Sequence, residues 1–379
     1  MAIYVDYAAT APMRKEVIDR YVEVAEQVLG NASSTHRFGR EARSVVDRAR
    51  RTIAQTIHAR PNEIIFTSGG TEADNLAILG VAHASTQKGH IVTTAIEHQA
   101  VLRAFEQLER EGWRVTYVAP DADGFISVDA IERALEEDTK FVSVMYGNNE
   151  VGTLQPIEEI GKLLNERDIL FHTDAVQAYG VMPIDVNKMH VDLLSTSAHK
   201  IGGPKGVGFL YVRNGVVLSP TQLGGDQERK RRAGTENIPA IAAFSEAARL
   251  AYEEMEEDKK VYETFRQTMQ KVWKERGIEY RVNGGEKETL PHIMNVSFEG
   301  IDIETFLVRL DLKGVAVSSG SACTAGSLDP SHVLVAMYGK DDERIRNSIR
   351  FSFGHLLTNE LIEEVAHIVA TEIELVKDE

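Results

Sequence analysis

The chain has one cysteine, Cys323, in 379 residues. A lone thiol excludes an intrachain disulfide and a cysteine-cluster metal site, and no metal is expected. Positive charge is also short: 42 Lys and Arg face 58 Asp and Glu, for a formal net charge of −16. That balance disfavours a nonspecific grip on nucleic acid or on an anionic membrane, so neither is expected as a direct partner. No apolar run approaches the ~20 residues of a membrane span. The start, MAIYVDYAAT, lacks both the basic and the apolar region of a secretory leader. Internal repeats and low-complexity segments are missing as well. These absences leave a globular protein expected in the cytoplasm. Its 43% apolar content is enough to build a core without crosslinks.

Two hydrophobic periods alternate through the middle of the chain. Strand-like runs are EIIFTSG, HIVTTAIE, RVTYVAP, FVSVMYG, ILFHTDA, LLSTSA and GVGFLYV. Helical patterns lie between several of them, at Ala73–Gln87, Ala100–Glu111, Ser127–Glu137 and Ile157–Glu166. Strands alternating with helices predict an α/β fold, with a mostly parallel sheet covered on both faces. Pro239–Lys274 is a single long helix-favouring stretch. It should lead into a second domain holding the strands IMNVSF, VAVSS and SIRFSF and a last helix from Thr358 to about Val376.

Five polar groups fall where predicted strands end, the edge at which open α/β sheets bind ligands. Lys200, in STSAHKIGGPKG, is near a strand end beside His199, Ser197 and Ser195. Desolvation or a neighbouring cation would lower its pKa and permit Schiff-base chemistry. Alone, AHK reads better as a surface loop. Asp174, in FHTDAVQ, could keep a pyridine nitrogen protonated or could simply cap a helix. Gln177 would share its face if the chain turns helical there. Gly70 and Thr71, in TSGGTEADN, open a helix whose free N–H groups suit an anion. His98 could stack on a flat ring or fill a structural role, and Asn149, in YGNNEVGT, offers amide hydrogen bonds. Gathered in one crevice, these groups are the inventory of a pyridoxal 5'-phosphate (PLP) site.

In these motifs, and in DYAATAPM, NASSTHRFG, RRAGTEN, SSGSACTAG and RFSFG, the chain resembles the NifS/IscS cysteine desulfurases. These are class-V aminotransferases of the fold-type I PLP group. The resemblance runs nearly end to end and implies two domains. The large one (14–255) would hold a mostly parallel seven-stranded sheet between helices. The smaller α+β domain (1–13 and 256–379) would carry a mobile cysteine loop, about 318–332. The resemblance also assigns roles. Lys200 would hold the cofactor covalently, with His98 stacked on the ring and Asp174 paired to its nitrogen. Asn149 and Gln177 would bind its hydroxyl side, and Gly70, Thr71, Ser197 and His199 the phosphate. Thr235 would reach the phosphate of a partner subunit in a homodimer. Arg350, together with Asn149, would bind the substrate, its guanidinium matching a carboxylate bidentately. DYAAT carries Tyr7 where the family more often has Asn.

The setting of Cys323 then has a reason. L-cysteine would become alanine, with its sulfur taken by Cys323 as a persulfide. Lys200 and His98 would handle protons. A thiol that both attacks and delivers cannot be locked in a core, and a Gly/Ser/Ala loop costs little strain as it moves. The sulfur would leave to an acceptor protein, either an iron–sulfur scaffold or a tRNA-thiolation enzyme. A selenocysteine lyase or another PLP-dependent, aminotransferase-like reaction is the alternative, and the long cysteine loop counts against it. The basic cluster ERKRRAG could flank the phosphate, dock an acidic partner or form a solvated turn. His36 and His355 receive no role.

Overall fold

The computed structural model describes residues 2–285, 288–319 and 330–378. A short strand, β1 (Ile3–Tyr4), precedes the helices α1 (Lys15–Gln27) and α2 (Arg37–Thr56). Alternation then sets in: β2 (Ile64–Thr67), α3 (Gly70–Ala84), β3 (His90–Thr94), α4 (Gln99–Arg110), β4 (Arg114–Val118), α5 (Val128–Ala134), β5 (Thr139–Ser143), α6 (Ile157–Asn165) and β6 (Leu170–Asp174). The strands β7 (Leu193–Ser197) and β8 (Gly208–Val212) follow, and then the long helix α7 (Ile238–Glu275). The remainder is β9 (Tyr280–Asn283), β10 (Ile293–Phe298), α8 (Ile303–Leu312), β11 (Val315–Ala316), α9 (His332–Tyr338), α10 (Arg344–Asn347), β12 (Ser348–Ser352) and α11 (Asn359–Asp378).

The central sheet has seven strands in the order β2-β8-β7-β6-β5-β3-β4. All pairings are parallel except those of β8, which runs antiparallel to both β2 and β7. No α-helix separates β7 from β8, and a short return between neighbours can only be antiparallel. Successive side chains on these strands enter opposite cores. Phe66, Val92, Val142, Leu194 and Phe209 face one, and Ile65, Ile91, Phe141, Leu193 and Leu210 the other. Burial on both faces explains why the strands read as continuous apolar runs.

A separate core gathers Ile3 and Val5 with Tyr262–Trp273 of α7, strands β10 and β12, and α11. Its antiparallel sheet has the order β12-β10-β9, and β1 pairs in parallel with β11. Helix α7 supplies Ile238–Leu250 to the first core and Tyr262–Trp273 to this one. Val333, Leu334 and Met337 of α9 pack on the first core. Two local expectations change. VAVSS shrinks to a two-residue strand: among the described residues its ladder is with the short β1, and Ser318 makes only an isolated bridge to Arg350. Residues 175–178 form a turn, not a helix, with the N–H groups of Ala178 and Tyr179 both donating to Ala175 O. No helix among the described residues is long and apolar enough to cross a membrane.

Candidate active site

Strands β3, β5, β6 and β7 are parallel, so their carboxyl ends share one edge. A cavity of about 420 Å³ opens there. Lys200 enters it from a single 3₁₀ turn, Ala198–Lys200, directly after β7. Its Nζ donates to Ala8 O at 2.6 Å and Ala9 O at 3.0 Å. Those carbonyls belong to DYAAT, so the N-terminal segment helps to aim the amine.

Asp174 is the last residue of β6 and is buried on the cavity wall. Its Oδ1 accepts from Val176 N at 2.8 Å, a local turn cap in the absence of a helix. Burial pushes this carboxyl up, while His98 and Lys200 pull it back. Gln177 reaches the cavity from the same turn, and its Nε2 donates to Ala8 O at 2.9 Å. His98 caps α4, its Nδ1 accepting from Ala100 N at 3.1 Å.

At another wall Gly70, Thr71, Ser197 and His199 come together. Helix α3 starts here without a side-chain cap, and its first N–H groups have no intrahelical partner. Gly69, at φ 150° and ψ −173°, makes the turn into it, a conformation open only to glycine. Gly208 of β8 must also lack a side chain: a Cβ there would lie 2.4 Å from Thr196 O and 2.8 Å from Gly69 Cα. Burial, then the cations Lys200 and Lys205, lower the His199 pKa to about 4, so its imidazole is neutral.

Arg350 comes from β12, in the other core, and is 2% exposed. Its Nη1 donates to Asn149 O at 2.8 Å and its Nη2 to Asp6 Oδ1 at 2.9 Å. Its Nε has no hydrogen-bond partner among the described residues. Asn149 and Glu150 line the cavity beside it.

Thus Gly70, Thr71, His98, Asn149, Asp174, Gln177, Ser197, His199, Lys200 and Arg350 all meet at one cavity. Thr235 does not: it is exposed, in the irregular segment before α7. Cys323 lies outside the described residues. Its flanks are near the site, since Ser318 pairs with Arg350 through backbone hydrogen bonds and Pro330 lines the cavity. In ERKRRAG, Glu228 pairs with Arg50 and Arg232 forks onto Glu72 of α3 at 2.6 and 3.1 Å. That part of the cluster braces the fold.

Sequence reasoning passed over Asp6, Asp74, Glu97, Glu150 and His332. Burial raises Glu97 to about 8 and Glu150 to about 7. His332, just after Ser331 caps α9, lines the cavity and contacts Glu97 O through Nε2 at 2.9 Å. The available signal was position: Glu97 directly precedes His98, and Glu150 directly follows Asn149.

The class-V aminotransferase family matches residues 3–365. A Bacillus subtilis (strain 168) relative, provisionally named cysteine desulfurase IscS 1, is 53% identical over 369 residues, 97% of each chain. The cysteine desulfurase IscS of Dictyoglomus turgidum is 46% identical over 94% of this chain and 91% of its own. The chain belongs to the cysteine desulfurase branch of the class-V aminotransferases. A solved structure titled NifS-like protein superposes with a TM-score of 0.92 at 34% identity, covering 99% of this chain and all of that one. The desulfurase branch uses PLP, and the cavity suits that group. It offers an amine on Lys200, a buried carboxyl on Asp174 and an uncapped helix start for a phosphate. It also has a polar atom, Asp74 Oδ1, buried without a hydrogen-bond partner among the described residues.

Proposed function

We propose that this chain converts L-cysteine to L-alanine and passes the sulfur through Cys323. The observation that carries the reading is the meeting of Lys200, Asp174 and Arg350 at one cavity, although they come from two separately packed cores. Lys200 would hold PLP, Asp174 would face its ring nitrogen and His98 its ring face. Asn149 and Gln177 would take the hydroxyl side, and Gly70, Thr71, Ser197 and His199 the phosphate. PLP supplies an electron sink for the substrate's Cα and Cβ bonds.

The chain's own groups do the rest. Arg350 binds the substrate carboxylate through donors that Asp6 and Asn149 leave over. Lys200 Nζ takes the proton from Cα, with His98 as the second group able to move one. The Cys323 thiolate attacks the substrate sulfur. An S–S bond forms as the Cβ–S bond breaks, and the electron pair stays with carbon. A proton delivered to Cβ then completes alanine, leaving a persulfide on Cys323.

With a single cysteine, no second thiol of the chain can resolve that persulfide. It passes to an acceptor protein serving iron–sulfur cluster assembly or tRNA thiolation. Thr235 is exposed and does not line the cavity of its own chain, which supports a role toward a second copy in a homodimer. The test combines the visible spectrum of the purified protein with an alanine assay. A yellow protein should form alanine from L-cysteine, and Cys323→Ser should keep the colour and lose turnover. Full turnover in that variant would refute the reading.

A further inference from the structure

Asp74 lies in the TSGGTEADN motif, and no step above uses it. It is on α3, 1% exposed, and lines the cavity. One ligand atom each from Asp74, His98 and Asp174 lie within 4.8 Å of one another. His172 Nε2 is 3.6 Å from Asp74 Oδ1, yet it is no counter-ion. Its Nε2 is engaged with Ser195 Oγ at 2.9 Å and its Nδ1 with Ser143 Oγ at 2.8 Å. Burial lowers its pKa to about 3, so the ring is neutral. Glu97 is a third buried acid, close enough to act on Asp74 and Asp174, and is itself held mainly in its neutral form by burial. The cationic candidates are His98, from the start of α4, and Lys200, after β7, and both act on Asp174.

Two buried carboxyls this close resist simultaneous ionisation. Asp174 has the stronger claim to the charge, with His98, Lys200 and the Val176 N–H favouring its anion. Burial, then the Asp174 charge, drive Asp74 well above the usual carboxylate range, opposed by the Ser195 hydroxyl.

We propose that Asp74 and Asp174 together carry one negative charge, Asp74 staying a neutral acid so that Asp174 can be the anion facing the cofactor's ring nitrogen. The proposal rests on the PLP reading of the site. It makes Asp74 a positioning residue that acts through Asp174. A second anion at Asp74 would raise the proton affinity of Asp174 and weaken its preference for the charged form.

The test is difference infrared spectroscopy of the purified protein at pH 7, wild type against Asp74→Asn. The wild type should show a protonated-carboxyl carbonyl stretch that the variant lacks. A difference containing only carboxylate bands would overturn the proposal. In Asp174→Asn the same acid loses its like-charged neighbour, so it should titrate about one pH unit lower or more. An unmoved titration would also overturn it. If Asp74→Asn does not fold, this shift decides alone, read on carbon-13-labelled aspartates by NMR. Asp74→Asn is neutral, like the proposed acid, and should hold PLP within about threefold of wild type. A loss of about tenfold or more in a folded Asp74→Asn would count against the charge argument. A wild type with the acid band that takes up no PLP would sink the cofactor reading and leave the shared charge standing.

Discussion

Replacing Arg350 with lysine tests how the substrate is held. In the structure the guanidinium reaches two acceptors at once, Asn149 O at 2.8 Å and Asp6 Oδ1 at 2.9 Å. Its fork still has Nε and further N–H groups for a substrate carboxylate. A lysine ammonium is a point charge on a flexible stem and cannot meet all three demands. The charge would stay near Asp6, so the fold should survive, with a loss of about 2 kcal/mol from one missing charge-assisted hydrogen bond. The substrate would exchange a bidentate clamp for a single contact. That is worth about 2 kcal/mol, or roughly thirtyfold in kcat/KM. The assay is alanine formation against L-cysteine concentration, beside a denaturant melt and the visible spectrum. The loss should fall on KM, with bound PLP unchanged, because Arg350 is assigned to the carboxylate and not to the ring. A kcat/KM within about threefold of wild type would refute the clamp.

The other predictions follow from single residues. Glu97 is an ordinary carboxyl near 4.5 when unfolded and about 8 when folded. The fold therefore binds its proton more tightly, and stability is fully present below pH 4.5 and lost as pH rises toward 8. Glu97→Gln should remove this decline and gain a few kcal/mol over wild type near pH 8, but not near pH 4.5. Parallel stability curves would refute it. Gly208→Ala drives a Cβ into Thr196 O and the Gly69 backbone. It should cost about 3 kcal/mol or more in a chemical melt and weaken PLP binding through the displaced start of α3. A variant as stable as wild type would show that this packing is less tight than the distances indicate.

Much of the architecture was legible because it is periodic. The ends of α7 and α11 lie within two residues of those expected from Pro239–Lys274 and Thr358–Val376. The direction of β8 was not legible, since an apolar strand looks the same both ways and only its connection decides. The helical turn weighed for Asp174–Gln177 gives way to a non-helical turn in which Asp174 caps its own backbone, a choice that short polar side chains often force. The candidate site was legible through residues that stand near strand ends beside glycine and small polar neighbours. Asp74 and Glu97 were not, because an acid in a helix or loop pattern reads as surface until packing encloses it. Arg350 was expected from its motif, but its anchor Asp6 is 344 residues away and comes near only through β1 and β12.

Helix α7 has a further consequence. It is a single 38-residue element, and both cores draw apolar side chains from it. Melting one core would strip the support from half of a helix whose other half the second core still holds. Helical stability in a protein comes mainly from packing of an apolar face, so the unsupported half would unravel beside the half that remains, which makes that state unfavourable. The two halves of the molecule are therefore coupled in their unfolding, and the protein should lose heat-resistant structure in one cooperative event. A cavity built from both cores disappears in that same event, so a partly unfolded population has no half-formed active site to expose.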